Sequence, residues 1–304
     1  MKMIRRVPID DSSFVSSNVA ENDYAAHSMG TTYALTNRVI VVAANVHKVF
    51  ESLQSANTGH NPLLDDQKNP VWWLEVSATN RWKMLDSFVS SQTANPNSII
   101  LTLAIDPLID SVSLQNIDGT QVHLTMTVPV DGLVYDKTIN LISDSGIDDY
   151  FEYWFSPIEK LSTYNFTDLS LYSDSSILVE LINDGGIAKC GALVVGLSRD
   201  YGGSMFGLEL GRTDYSAVVT DDFGNTSITK RGNTRDMNLT LWVSNNDLAS
   251  VDKVLSEYLS VPAVYIGTDV YQEATTLYAI YQSYSLVVSY PNQSLLSIRF
   301  KGLI

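Results

Sequence analysis

The sequence predicts a mainly β protein: a small three-stranded module, then a β-sandwich, then a C-terminal α+β module with one main helix. Three observations carry that reading. Charged residues make up only 17% of the chain against 45% hydrophobic, and Ser, Thr, Asn and Tyr are plentiful, a balance suited to pleated, half-buried surfaces. Short apolar runs of strand length recur between turn signals, as they do in sandwiches. Only residues 244–260 keep a sustained helical period. A chain of 304 residues also exceeds one ordinary core and suggests about two or three domains.

Residues 1–28 read as an arm. "RRVPIDDSSFVSSNVAENDYAAHS" offers few apolar anchors, apart from a short strand around residues 4–9, and such arms order against a neighbour. Residues 29–78 read as the small module, with two strands around a turn at Ala44-Asn45, a turn-rich loop "NTGHNPLLDDQKNP", and "VWWLEV" as the third strand. So few strands make a marginal fold alone. The module should lean on something, with Trp72 and Trp73 as the glue.

Residues 79–198 read as the sandwich. Its strands are "SIILTLAI", "SVSLQNI", "QVHLTMTV", "YDKTINLI", "YFEYWF", "SILVELIN" and "AKCGALVVG", with hairpin signals at Asp118-Gly119 and Asp184-Gly185. In "QVHLTMTV", Val122, Leu124, Met126 and Val128 share one face and His123 takes the other. "YFEYWF" as a strand alternates Tyr150 and Trp154 with Phe151 and Phe155, so both its faces are aromatic. Such a strand is central or covered by a partner, which makes Tyr150 and Trp154 candidate interface residues.

Residues 199–304 read as the α+β module. "TDYSAVVTDDFGNTSITKRG" is a hairpin turning at "DDFGN", and "MNLTLWV" is a strand. The helix opens on Ser244 and Asp247, in the manner of a capping box, and places Leu248, Val251, Val254, Leu255 and Leu259 on one face. Pro262 follows its end, and "AVYIG", "LYAIYQSYSLVVSY" and "SLLSIRFKGLI" return to strand.

Several function classes fall away. With 19 basic against 34 acidic residues, a net charge of -15, the chain lacks the clustered cations that duplex nucleic acid requires. Its acidity suits instead a wall past which DNA slides. No apolar run reaches the length of a membrane span, and "MKMIRRVPIDDSS" lacks the apolar core of a signal peptide. Cys190 is the single cysteine, so no intrachain disulfide is expected; it reads as a packed, inert thiol in a cytoplasmically folded protein. His27, His47, His60 and His123 are scattered without metal spacing. The pairs Asp10-Asp11, Asp65-Asp66, Asp148-Asp149 and Asp221-Asp222 sit in expected turns or arms, where solvated carboxylates belong. No catalytic residue, metal or cofactor is expected. The surplus is aromatic, with 16 Tyr, 9 Phe and 5 Trp, and serves either sugar stacking or cores and interfaces.

An ordered set of segments resembles a family of tailed-bacteriophage tail or minor structural proteins. The segments are "VSSNVAENDYAAHSMGTTY", "NRWKMLDSFVSSQT", "GIDDYFEYWFSPI", "CGALVVGLSRDYGGSMFGLELGRTDYS", "DDFGNTSITKR", "LWVSNNDLASVDKVL", "PAVYIG" and "YAIYQSYSLVVSYPNQSLLSIRFKGLI". The resemblance implies a virion component and not an enzyme, assembled in the host cytoplasm. It implies a homo-oligomer, in a ring, with other tail proteins as partners and no sequence-specific nucleic acid. Residues 29–76 are similar to chitin-binding-type carbohydrate-binding modules through Tyr33, Val39, Phe50, Pro62 and Trp72 or Trp73. Thr36-Asn37 replaces that pattern's Gly-Asp, and "ESLQ" at residues 51–54 replaces its stacking aromatics. The module then looks like a scaffold retained for protein contact, with binding of a host-surface glycan through Tyr33, Phe50, Trp72 and Trp73 as the alternative. Residues 80–196 resemble galactose-binding-like jelly rolls, and the C-terminal part looks like ring-forming tail domains. Arg81 and Trp82 fall where module and sandwich meet, as the candidate seam.

Overall fold

The computed structural model describes residues 1–143, 149–155 and 159–303, and of Glu152 and Tyr153 the backbone alone. The protein is mainly β, and fourteen of its strands hydrogen-bond into one antiparallel network.

The first strand, β1 (Lys2–Arg6), lies in the middle of that network. The long strand Ser175–Asp200 runs antiparallel on one side of it and Ala263–Ile266 on the other. Alternation explains the position: Met3 packs into the C-terminal core and Ile4 into a separate cluster on the opposite face, and both are fully enclosed. The arm expected over residues 1–28 therefore begins as a central strand, and the neighbours that order it belong to this same chain. β2 (Phe14–Ser17) then pairs with the sandwich strand Thr93–Ile105.

The module is a meander of β3 (Arg38–Ala43), β4 (Val46–Ser52) and β5 (Trp73–Ala78). Asn45 takes φ +57° in its first turn, a conformation that Asn tolerates better than most residues.

The sandwich comprises β6 (Thr93–Ile105), β7 (Ser111–Asp118), β8 (Gln121–Val128) and β9 (Gly132–Asn140). The short pair β10 (Ile142–Ser143) and β11 (Glu159–Lys160), the helix α1 (Tyr150–Phe155), β12 (Thr163–Phe166) and β13 (Ser175–Asp200) complete it. β13 organises both layers. Its first half lies between β6 and β8, and its second half pairs with β7 and then β1. The chain does not turn back on itself at Asp118-Gly119, where the sequence signals a hairpin: β7 and β8 both run antiparallel to β13, along its second half and then its first, so they follow one another instead of pairing.

Two further expectations are corrected here. Asp184-Gly185 is not a hairpin turn: Asn183 pairs with Asn97 and Ile187 with Pro96, so both flanks continue along β6 and the residues between form a bulge. Gly185 and Asn97 face each other there with φ of +73° and +66°, which bends both strands from one layer into the next. "YFEYWF" is a helix, not a strand. Helical spacing brings Tyr150 within 6.1 Å of Trp154 and Phe151 within 4.6 Å of Phe155, ring centre to ring centre, contacts between residues four apart that alternation in a strand cannot produce.

The C-terminal part follows as β14 (Gly203–Ser204), β15 (Glu209–Asp214), β16 (Ala217–Thr220), β17 (Thr226–Thr229), β18 (Asn233–Ser244), α2 (Leu248–Glu257), β19 (Ala263–Ile266), α3 (Gln272–Thr275), β20 (Thr276–Val287) and β21 (Gln293–Gly302). The order β1-β19-β20-β21-β18 extends the sandwich sheet directly. α2 buries Val251, Val254 and Leu255 against this sheet's core. Ser244 accepts a hydrogen bond from Asn246 N and caps a single 3-10 turn ahead of the helix, and Leu259 lies exposed past its end. Gly196 is needed where β1 crosses β13, because a Cβ there would come within 1.8 Å of Arg5 O.

Candidate functional site

The module's aromatics converge, but inward. Tyr33, Val39, Phe50 and Trp73 form its core, with Trp72 and Val41 packed against them. Trp73 is completely enclosed; its Nε1 donates to His60 O at 2.9 Å, and Tyr33 meets it edge-on at 5.1 Å. Tyr33 Oη accepts from Ser28 N at 2.8 Å. Trp72 is half-buried with one face on His60, 3.6 Å between ring centres. Asp65 locks the strand entry by accepting from Trp72 N at 2.6 Å and Trp73 N at 2.7 Å. Burial opposes its ionisation, but the backbone N–H groups of Trp73, Trp72 and Val71 outweigh it and hold the carboxyl below its ordinary range. Packed this way, Tyr33, Phe50 and Trp73 present no open ring face on which a sugar can stack.

Arg81 and Trp82 lie between module and sandwich. The Trp82 ring is stacked on Phe14 of β2 at 5.2 Å and on His47 of β4 at 4.1 Å, so one residue from each unit covers its two faces. His47 is fixed in turn by two carboxylates, with Nε2 2.6 Å from Asp11 and Nδ1 2.8 Å from Glu21. Glu21 also accepts from Thr79 Oγ1 at 2.7 Å and pairs with Arg81 at 3.6 Å. Arg81 Nε donates to Val19 O at 2.7 Å. The segment after β2 thus ties the module to the sandwich through charged hydrogen bonds, which exceed neutral ones in strength. Sequence reasoning took Asp11 for a solvated carboxylate and passed over Glu21 and Phe14, because the spacing of residues so distant in the chain carries no signal of their meeting.

Beside this junction a cleft of about 670 Å³ opens between the two units. Its walls include Asp10, His47, Gln67, Glu75, Trp82 and Asp86. Burial pushes the Asp86 carboxyl up to about 6, against the hydrogen bond from Phe88 N and the charges of Arg6 and Lys83. General acid–base chemistry needs a second group free to act with it. His47 on the same wall already has both ring nitrogens engaged, and both faces of Trp82 are covered.

The remaining candidates are dispersed. Cys190 is fully enclosed and burial pushes its thiol up to about 12, which leaves it unreactive. His123 lies on the outer face of β8 between Asp136 and Glu180. Asp221 accepts from Asn225 N and Phe223 N in the expected turn, and Asp148 lies outside the described residues. Among the described residues no group of three or more His, Cys, Asp or Glu is placed to hold a metal ion. Nor, among these, is any helix long and apolar enough to cross a membrane.

Two exposed apolar features stand apart. Tyr150 and Trp154 lie on α1 with their rings largely exposed, as do Phe151 and Phe155. Among the described residues the β16–β17 ribbon pairs with itself alone, and of its strand residues only Ala217 is partly covered. It carries Val218, Val219, Phe223 and Ile228 into solvent, with Phe223 91% exposed at the turn. The "DDFGN" turn was legible in the sequence, whereas the separation of its two strands from the main sheet was not. Comparison with known proteins returns no matching family model and no matching curated protein.

Proposed function

We propose that this chain is a structural component of a bacteriophage tail that assembles as a symmetric multimer and connects tail parts or seats appendages. The virion setting rests on the ordered segments that resemble tail proteins. The assembly role rests on one observation above all, the self-paired β16–β17 ribbon with its exposed Val218, Val219, Phe223 and Ile228. An isolated two-stranded hairpin is marginal in water, and this one exposes the cross-strand pair Val218 and Ile228 on one face and Val219 on the other. A neighbouring protomer that receives the ribbon resolves both problems by interface burial and strand addition. Glycan recognition at the virion surface is the competing reading, and the enclosure of Tyr33, Phe50 and Trp73 weighs against it.

Light scattering on the purified chain, together with immunogold electron microscopy of phage particles, tests the proposal. A defined multimer, with gold confined to one level of the tail, supports it. A strictly monomeric chain with no labelling of intact or opened particles sinks it.

A further inference from the structure

A second cleft, of about 390 Å³, opens where β7 and β12 of the sandwich meet β15, β18 and β20 of the C-terminal part. Its chemistry is one-sided. Arg212 and Arg235 are direct cross-strand partners, so their side chains leave the same face of the β15–β18 pair, and both line the cleft. Like charges directly opposite each other in a sheet repel. Among the described residues no Asp or Glu lines the cleft to relieve them, although the chain carries 34 acidic residues. Among the described residues neither guanidinium makes an ion pair. The Arg235 side chain donates once, from Nη2 to Ala274 O at 2.5 Å, and the Arg212 side chain makes no hydrogen bond among the described residues. Desolvation, and then the charge of Arg212, depress the Arg235 guanidinium below its ordinary range, with Glu273 as the opposing influence.

The floor is polar and already satisfied. Thr163 Oγ1 donates to Gln115 Oε1 at 3.4 Å, and Gln115 Nε2 to Ser113 Oγ at 2.7 Å. Ser113 Oγ donates to Asn165 Oδ1 at 2.6 Å, and Asn165 Nδ2 to Thr276 Oγ1 at 2.8 Å. This chain of bonds crosses from the sandwich to β20 and fixes the cleft's base. The result is a pocket with a fixed base, two forked cations and no acidic side chain among its described lining residues.

We propose that this cleft binds a small oxyanion, the phosphate or carboxylate group of a solute, held between the guanidinium groups of Arg212 and Arg235. The guanidinium fork matches both oxyanions, and charge-assisted hydrogen bonds are the strong ones. The inference is independent of the virion reading, since it concerns a pocket and not an assembly surface.

The test is a thermal melt of the full chain in sodium phosphate, sodium acetate or sodium chloride at matched ionic strength, repeated on Arg212→Gln, with titration calorimetry of inorganic phosphate. Arg212 is the informative position because its side chain bonds nothing else among the described residues. Phosphate or acetate should raise the wild-type midpoint above that in chloride, and whichever does so identifies the preferred group. Arg212→Gln should lose that increment, bind the anion at least about tenfold more weakly, and melt no lower than wild type in chloride, because a repulsion has been removed. Equal wild-type midpoints in all three salts would overturn the proposal. So would an increment that survives Arg212→Gln, or a lower midpoint of that variant in chloride, which would make Arg212 a structural residue.

Discussion

Ile4→Ala tests whether β1 holds the protein together. Ile4 is fully enclosed and packs with Ala192 and Val194 of β13, Val264 and Ile266 of β19, and Tyr278 of β20. Removing three carbons from such a site costs the transfer of those atoms plus the cavity they leave, and the cavity persists where the walls cannot close. Here the walls belong to strands that β1 itself holds apart at hydrogen-bonding distance. The expected cost is therefore in the upper part of the usual range, about 3 to 5 kcal/mol. At about 2 to 4 °C per kcal/mol for large domains, the midpoint should fall by about 10 °C. Differential scanning calorimetry is the assay, with exposed Val15→Ala on β2 as the control, expected within about 0.5 kcal/mol of wild type. Because β1 joins the sandwich sheet to the C-terminal sheet, both parts should shift together. A midpoint within about 2 °C of wild type, or a sandwich transition that stays in place while the other moves, would refute the reasoning.

Trp73→Ala should destabilise the small module by about 3 to 5 kcal/mol, and near-ultraviolet circular dichroism should lose the module's aromatic signal at a lower temperature than the rest of the chain. Asp86→Asn should raise the midpoint at pH 8. A carboxyl whose folded pKa is raised to about 6 from 3.8 contributes stability that is full below pH 3.8 and lost as pH rises through 6. The advantage of the variant, about 1 kcal/mol after allowance for solvent screening, should thus shrink as pH falls from 7 to 4, as melts across that range will report. Replacing Val218, Phe223 and Ile228 together by Thr should abolish self-association in light scattering and move the protomer's own midpoint by less than about 0.5 kcal/mol equivalent.

Much of the architecture was readable from period and punctuation. The alternation of "QVHLTMTV" placed Val122, Leu124 and Met126 inside, where they are fully enclosed, and the turn at Ala44-Asn45 separates β3 from β4. The failures share a cause. Asp184-Gly185 carries the local chemistry of a hairpin, but whether a Gly at positive φ reverses a strand or only bulges it depends on which strand lies opposite. "YFEYWF" has the composition of a strand, and six aromatic-rich residues are too few for period to separate strand from helix. The strand expected around residues 4–9 overlaps β1, but its central, buried place follows from neighbours far along the sequence. The same limit governs the candidate sites. The aromatic pattern of Tyr33, Phe50 and Trp73 located a cluster, but which way its rings face is decided by the closure of β3–β5 around them. The opposition of Arg212 and Arg235 exists only through the β15–β18 register.

The place of β1 also sets a timetable. During synthesis it leaves the ribosome long before either of its partners, and it stays unpaired until the second half of β13 has emerged. Once docked there, its other edge is open, and that edge is the template on which β19 and then the remaining C-terminal strands add. Long-range pairing of this kind is slow, and an open edge can recruit other chains while it waits. The interval between completion of β13 and arrival of β19 is therefore the stage of biogenesis at which the second edge of β1 is open to pairing with other chains.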